Sequence, residues 1–266
     1  MIFICNIKII LYIYIMVTFQ IASDLHIEYK NNDVPNPLTF ITPISDYLIL
    51  AGDIGSFYKI NQLKKFLSEL CKHFIKVFYI PGNHEFYTFN EYKPVPINNL
   101  LYRMYELENS INNLFILNRA SIIIDDICIT GCTLWSKLEI EIPKYIVRIN
   151  GITNKIYEEN HKNDLQYIEK MIQYSQNNNL KLLVITHHCP TYKVLDNIKK
   201  KDKIISLYVS NLDNLLTSEK VNTWVCGHIH KNFDFYTENG TRIVGNQKGK
   251  LKDKITDFCK NFIITI

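Results

Sequence analysis

Absences narrow this 266-residue chain before any motif does. Its seven cysteines are odd in number and include no C-x-x-C pair, so a disulfide framework is disfavoured. A reducing compartment, the cytoplasm, is the expected location. No uninterrupted apolar run approaches the roughly 20 residues needed to cross a bilayer, which argues against a membrane partner. Charge of one sign is in small excess: 30 basic against 26 acidic residues leave +4, too little to argue for a nucleic-acid partner. Glycine and alanine are sparse beside abundant lysine, asparagine and isoleucine, the drift of an AT-rich genome rather than a functional signal. No internal repeat, long linker or low-complexity segment breaks the chain. Hydrophobic residues at 47% and charged residues at 21% are ordinary for a globular protein.

The apolar start, Met1 to Ile15, is interrupted by Asn6 and Lys8, and Met16 stands directly before the first β-prone run at Val17. No small-residue cleavage site precedes that run. Residues 1–15 therefore read as an extension with no folded role, Met16 as the natural start, and 16–266 as one domain. From there strands and helices alternate. Strand-like runs fall at 17–22, 47–51, 74–80, 180–185 and 221–226, with helical spacing at 58–73, 97–113 and 161–177. Shorter strands are expected at 114–117, 121–124, 127–130 and 262–266. Continuous apolar strands such as Tyr47–Ala51 imply burial on both faces and an α/β sheet. A further helix is expected within 197–217, and Asn239-Gly240 signals a two-residue hairpin turn. Residues 136–160 carry no clear pattern.

Chemistry collects where strands end. Asp24 with His26, Asp53, Asn83 with His84, His187 with His188, and His228 with His230 occupy five such ends, and these hold six of the eight histidines. In an extended chain residues two apart project to one side, so Asp24 and His26 can face one point. A carboxylate and an imidazole converging in this way suit a divalent metal. Strand ends of α/β sheets are where ligand sites are built.

In order, Asp24-Leu25-His26, Gly52-Asp53, Gly82-Asn83-His84-Glu85, His187 and Gly227-His228-Ile229-His230 match the motifs of the calcineurin-like metallophosphoesterases. The chain resembles that family from residue 17 to about 246. Ser23-Asp24-Leu25-His26, Gly82 to Tyr87 and Thr133-Leu134-Trp135 look most like its small single-domain phosphohydrolases. The resemblance implies a four-layer α/β sandwich, with two mixed β-sheets flanked by helices and metals at the strand ends. It implies that Asp24, His26 and His230 bind one divalent metal ion, that Asn83, His187 and His228 bind the other, and that Asp53 bridges both. It further implies a metal-dependent hydrolase of phosphomonoesters or phosphodiesters, with a hydroxide bridging the ions and His84 protonating the leaving group. Two ions in such sites lie roughly 3.5–4 Å apart. Two carboxylates against four positive charges leave a surplus that draws in phosphate. A donor set without thiolate suits Mn, Fe or Zn.

Two departures stand out. Protein Ser/Thr phosphatases of the superfamily carry a second acid and an arginine soon after the bridging aspartate. Here that stretch is Ile54-Gly55-Ser56-Phe57, with Ser56 at the acid's position, which disfavours a protein phosphatase and leaves the orienting partner of His84 unidentified. Gly245-Asn246-Gln247 matches the family's next segment loosely. A non-catalytic scaffold on the same fold is the first alternative, but scaffolds typically lose ligands that this chain keeps. A nuclease is the second. It needs a basic groove, whereas the run Lys199, Lys200, Lys201 and Lys203 reads as a solvated face. The expected substrate is a small phosphate ester, with specificity in loops around Phe86–Val95 and Trp135–Asn160. His188 is a weaker candidate, for substrate contact or structural support. Cys189 and Cys226 flank ligands as ordinary buried cysteines.

Overall fold

The structure is a computed structural model and describes residues 16–30, 33–195 and 202–266. The apolar extension and Lys199, Lys200 and Lys201 lie outside the described residues. Strands β1 (Thr18–Ala22), β2 (Tyr47–Leu50), β3 (Lys76–Tyr79) and β4 (Leu114–Ile116) run parallel in one sheet. Strands β5 (Ala120–Ile124), β6 (Ile127–Cys132), β7 (Lys181–Thr186), β8 (Thr223–Val225), β9 (Phe233–Tyr236) and β10 (Arg242–Gly245) form the other. The first sheet is closed by β11 (Ile263–Thr265), antiparallel to β1, giving the order β11-β1-β2-β3-β4. The second has the order β5-β6-β7-β8-β10-β9, parallel from β6 through β10 with an antiparallel strand at each edge.

Side-chain alternation along the buried strands builds the layers. In β2, Ile49 faces the inter-sheet core with Phe19, Phe78, Ile129 and Ile185. Its neighbours Leu48 and Leu50 face the opposite way, as a period of two requires, and meet the helices. Helices α1 (Ile60–Cys71) and α2 (Ile97–Asn109) cover that outer face with Leu63, Phe66, Leu100 and Met104. Helix α3 (Asn154–Asn177) covers the second sheet through Ile168, Met171 and Ile172 against Leu182 and Val184. The result is the expected four-layer α/β sandwich. Among the described residues no helix is long and apolar enough to cross a membrane.

Three local expectations are corrected. Helix α3 begins at Asn154, ahead of residue 161, with the Thr153 hydroxyl accepting from the Ile156 amide at 3.2 Å. Its first two turns bury few residues, Tyr157 and His161 among them, so the apolar stripe is faint there. Residues 202–217 form no α-helix but two 3-10 turns, Lys203–Leu207 and Asp213–Leu215. Buried Ile205 and Val209 join the core over the second sheet, whereas Leu207 between them joins the core over the first, so no single helical face forms. Asn239-Gly240 sits in a three-residue turn rather than a two-residue one. Thr237 and Thr241 close it: the Thr237 amide donates to the Thr241 carbonyl at 2.8 Å, and the Thr241 amide to the Thr237 hydroxyl at 3.0 Å.

Parallel strands send their C-terminal ends to one edge, and the two sheets meet there. The amides of Asp24 and His26 donate to the Gly52 and Asp53 carbonyls, and that of Gly227 to the His187 carbonyl. The later chain is tied back to β1. The Gln20 side chain donates to Thr42 and Lys260 carbonyls at 2.9 and 2.8 Å, and Asn246 donates to the Ile21 carbonyl at 2.8 Å. Phe78, fully buried between Phe19 and Phe115, lies at the centre of the inter-sheet layer. Phe78→Ala is expected to cost about 3–5 kcal/mol in equilibrium urea unfolding. A loss below about 1 kcal/mol would contradict that central position.

Candidate active site

The backbone at the strand ends is bent sharply. Asp24, His26, Asp53, His228 and His230 all adopt positive φ, between 50° and 73°. Non-glycine residues in this left-handed region are uncommon and carry a cost of order 1–3 kcal/mol each. The convergence of Asp24 and His26 thus arises from two left-handed residues beyond β1, not from an extended chain. Two glycines make room. Gly52, at φ +88°, lets the backbone pass the His187 ring, where a Cβ would come within 2.7 Å of the ring carbon Cγ. Gly82 leaves no gap for a Cβ beside Asp53, whose amide nitrogen would be 2.6 Å away.

Every residue expected from the sequence comes to this edge, in two groups. In the first, His26 Nε2 lies 3.0 Å from His230 Nε2, and His230 Nε2 lies 3.2 Å from Asp24 Oδ1. In the second, His187 Nε2 lies 3.0 Å from Asn83 Oδ1 and 3.1 Å from His228 Nδ1. Asp53 stands between them, with Oδ1 3.3 Å from His187 Nε2 and Oδ2 3.7 Å from His26 Nε2. Asp24, Asp53 and His187 are almost fully buried. Burial alone would raise the Asp53 carboxyl, but the charges of His187 and then His84 hold it well below the usual range. Burial opposes charge on His187 as well, yet Asp53 beside it holds its pKa up at about 10.

The outer nitrogens of three of these rings are already committed. His26 Nδ1 donates to Glu28 Oε1 at 2.9 Å, His187 Nδ1 to the Ala51 carbonyl at 2.9 Å, and His230 Nδ1 to Asp253 Oδ2. Each such bond places a proton on the outer nitrogen, so a cation that displaces the proton Asp53 holds on His187 meets an inner lone pair on every one of them. The inner lone pairs then face one another and the carboxylates at about 3 Å. Neutral donors in that arrangement repel unless a cation lies among them. The donor set therefore fits cations: Asp24, His26, Asp53 and His230 could hold one metal ion, and Asp53, His187 and His228 another. The Asn83 carboxamide oxygen adds to the second group.

His84 is placed by its neighbours rather than by the missing acid. Its amide donates to Asp53 Oδ1 at 2.9 Å, and its ring lies against His26 and Tyr87. Nδ1 donates to Glu28 Oε1 at 3.1 Å, so Glu28 supplies the partner that the stretch after Asp53 lacks. Burial would raise the Glu28 carboxyl, but hydrogen bonds from His26 and His84 lower it. Burial lowers the pKa of His84 itself. Its Nε2 faces Lys250 Nζ at 3.0 Å. Ser56, at the position of the expected acid, instead caps a turn by accepting from the Tyr58 amide at 3.2 Å.

Three functional residues escaped the sequence. Glu28 was visible only as an acid two places past His26. Lys250 lies beyond the last recognisable motif. Glu85, read merely as part of a motif, is a buried clasp: Oε1 accepts from the Ile54 amide at 2.8 Å and the Tyr79 hydroxyl at 2.6 Å, and Oε2 from the Gly82 amide at 2.8 Å and the Asp53 amide at 3.2 Å. Burial, with the Asp53 charge, pushes its pKa up to about 8. Gln247, from the loosely matching segment, accepts the His230 amide at 2.7 Å. His188 packs against His228 with ring centres 4.1 Å apart and the rings tilted by 43°, and it is almost fully buried while lining the cavity above the site. Burial and the His187 charge take its pKa down to about 3.

The groups line the floor of a cavity of about 940 Å³ that opens to solvent. Its walls draw on Tyr87 and on Tyr145 to Arg148, within the two loops expected to set specificity, and on Lys248 to Asp253, which no sequence signal marked.

A four-layer α/β sandwich with His and Asp groups that could hold metal ions at its strand ends is the architecture of the metallophosphoesterases. The chain belongs to the calcineurin-like phosphoesterase family, whose family model matches residues 17–232. It is 28% identical over 256 residues to the uncharacterized protein L509 of Acanthamoeba polyphaga mimivirus, covering 86% of this chain and 89% of that one. Over 73 residues, 27% of this chain and 22% of the other, it is 33% identical to the acyl-carrier-protein phosphodiesterase PptH of Mycobacterium tuberculosis. Among solved structures, the phosphopantetheinyl hydrolase PptH of that organism superposes with a TM-score of 0.66 at 15% identity, covering 94% of this chain and 96% of that one. A dimetal phosphatase from Danio rerio gives 0.53 at 13% identity over 86% of each chain. At these identities the structural likeness is one of fold. Gly82→Ala is expected to displace Asp53 and destabilise the protein by about 1–3 kcal/mol in urea unfolding, as overpacking does. Unchanged stability would show that the strand end can yield.

Proposed function

We propose that the chain hydrolyses small phosphate esters, mono- or diesters, at two divalent cations. Asp24, His26 and His230 would hold one, Asn83, His187 and His228 the other, with Asp53 shared. The observation that carries this reading is the division of the Asp53 carboxylate, one oxygen toward each histidine group. Oxygen and imidazole donors without thiolate favour Mn, Fe or Zn. The cysteines among the described residues are all free, which suits a reducing compartment such as the cytoplasm.

When bound, the cations supply Lewis acidity toward a phosphoryl oxygen and a lowered pKa for water. The residues around them orient and transfer protons. Glu28 takes the Nδ1–H of His84, so Nε2 is the atom that delivers a proton to the departing oxygen. Burial lowers the ring's pKa, which makes its protonated form the stronger acid. Asp253, Glu28 and the Ala51 carbonyl keep His230, His26 and His187 turned inward.

The Mn-loaded protein is expected to turn over bis-p-nitrophenyl phosphate or p-nitrophenyl phosphate. Activity should be lost on chelation, regained with Mn, and lowered by roughly 10²–10⁴-fold in His84→Ala. Loaded protein with no turnover of either ester, or turnover indifferent to metal, refutes the reading. Glu28→Gln is expected to weaken Mn affinity or kcat by about 10–100-fold, measured by metal titration and steady-state kinetics. Wild-type values for both would remove Glu28 from the site.

A further inference from the structure

A cavity of about 940 Å³ is far larger than one phosphate group needs. Above its metal-ligand floor it is lined by Lys30, Arg148, Lys248, Lys250 and Lys252, brought from three separate stretches of chain. The chain as a whole has 30 basic against 26 acidic residues, so this concentration is local. The nearest acid on that wall, Asp253, is occupied by His230 Nδ1 and the Lys250 amide. The cations themselves meet rings rather than carboxylates. Lys250 Nζ lies 5.6 Å from the Tyr29 ring centre and 3.0 Å from His84 Nε2, Lys248 Nζ 5.3 Å from the Phe40 ring, and the Arg148 guanidinium 5.5 Å from the Tyr87 ring. Among the described residues none of these three pairs with a carboxylate. Lys248 and Lys250 are half-buried, and burial lowers the pKa of both; for Lys248 the neighbouring Lys30 charge adds to it. The acids that attract them, Glu28 for both and Asp53 and Asp253 for Lys250, make no ion pair with them, and partly desolvated cations without a carboxylate in contact are held at a cost that a bound anion removes.

We propose that this cavity selects phosphate esters bearing a second phosphate group, which Arg148 and Lys248 hold while Lys250 meets the phosphoryl group beside His84. The inference rests on the hydrolase reading and names its substrate class. Lys250 contacts His84 directly and so stands at the reacting phosphoryl group. Arg148 and Lys248 line the same cavity over the Tyr87 and Phe40 rings, and no hydrogen bond or ion pair joins their side chains to His84 or the ligand groups, which leaves them to a second anionic group. Guanidinium and ammonium side chains are the residues that bind phosphate by charge-assisted hydrogen bonds. The second phosphate belongs either to a nucleotide or to a phosphorylated sugar, and both present the same anion to this wall.

Isothermal titration calorimetry on Mn-loaded full-length His84→Ala protein, in which turnover is suppressed, distinguishes these. The matched probes are AMP against adenosine 3′,5′-bisphosphate, and fructose 6-phosphate against fructose 1,6-bisphosphate. In at least one pair the bisphosphate is expected to bind about tenfold tighter, the worth of one charge-assisted phosphate contact. An advantage in the adenosine pair alone assigns a nucleotide, and one in the sugar pair alone or in both shows that the second phosphate suffices without a base. Adding Arg148→Ala and Lys248→Ala is expected to reduce the advantage below about threefold, and Arg148→Lys with Lys248→Arg to keep it. Equal affinities in both pairs, or an advantage that survives the alanine substitutions, overturns the inference while leaving nitrophenyl-ester turnover by the native protein intact. Absence of that turnover defeats the hydrolase reading itself and the inference with it.

Discussion

The Asp53 carboxylate, 1% exposed, faces imidazoles delivered by both sheets. Its position depends on a chain of local conditions. Gly52 must turn left-handed for Asp53 to leave β2, and Gly82 must lack a side chain for β3 to pass it. Glu85 then gathers the amides of Asp53, Ile54 and Gly82 onto one buried carboxylate, which locks the ends of β2 and β3 together. The His84 amide takes Asp53 Oδ1. Two backbone stretches, 52–54 and 82–85, thus fix one side chain before any ligand is considered.

Such a site is under tension by construction. Five residues of the candidate ligand set sit in a sparsely populated backbone region, and ring nitrogens face one another about 3 Å apart. The compensation is the apolar sandwich beneath, where strands buried on both faces leave the ends no freedom to relax. Charge follows the same pattern. Asp24 and Asp53 stay ionised despite burial because imidazoles surround them, so carboxylates and rings support one another's charge states.

Much of this was legible in the sequence because period and punctuation agree. Apolar runs ending in Gly-Asp, Gly-Asn-His and Gly-His-x-His announce both a buried parallel strand and the residue it delivers. Strands with no polar face announce an α/β sheet, and the four layers came from the resemblance to the family. Elsewhere the code was silent for physical reasons. The first turns of α3 are mostly solvated and so lack an apolar stripe. Residues 205–216 bury side chains through short turns, a geometry without a period of its own. Glu28 and Lys250 were invisible because their roles depend on meeting His84 across 56 and 166 residues, which no local pattern encodes. The left-handed bends were hidden as well, since Asp24 and His26 look like any pair two apart.

Strand β11 and the loop holding Lys250 and Asp253 have a consequence for the order in which the protein becomes itself. Gln20 and Lys260, 240 positions apart, bond across the β1 edge, and Asn246 reaches back 225 positions to Ile21. On a ribosome, Asp24 and His26 emerge among the first folded residues, yet the group that turns His230 inward and the lysine beside His84 emerge among the last. The edge that holds Asp24 and His26 is therefore complete only when residues 204 to 240 positions later have joined it.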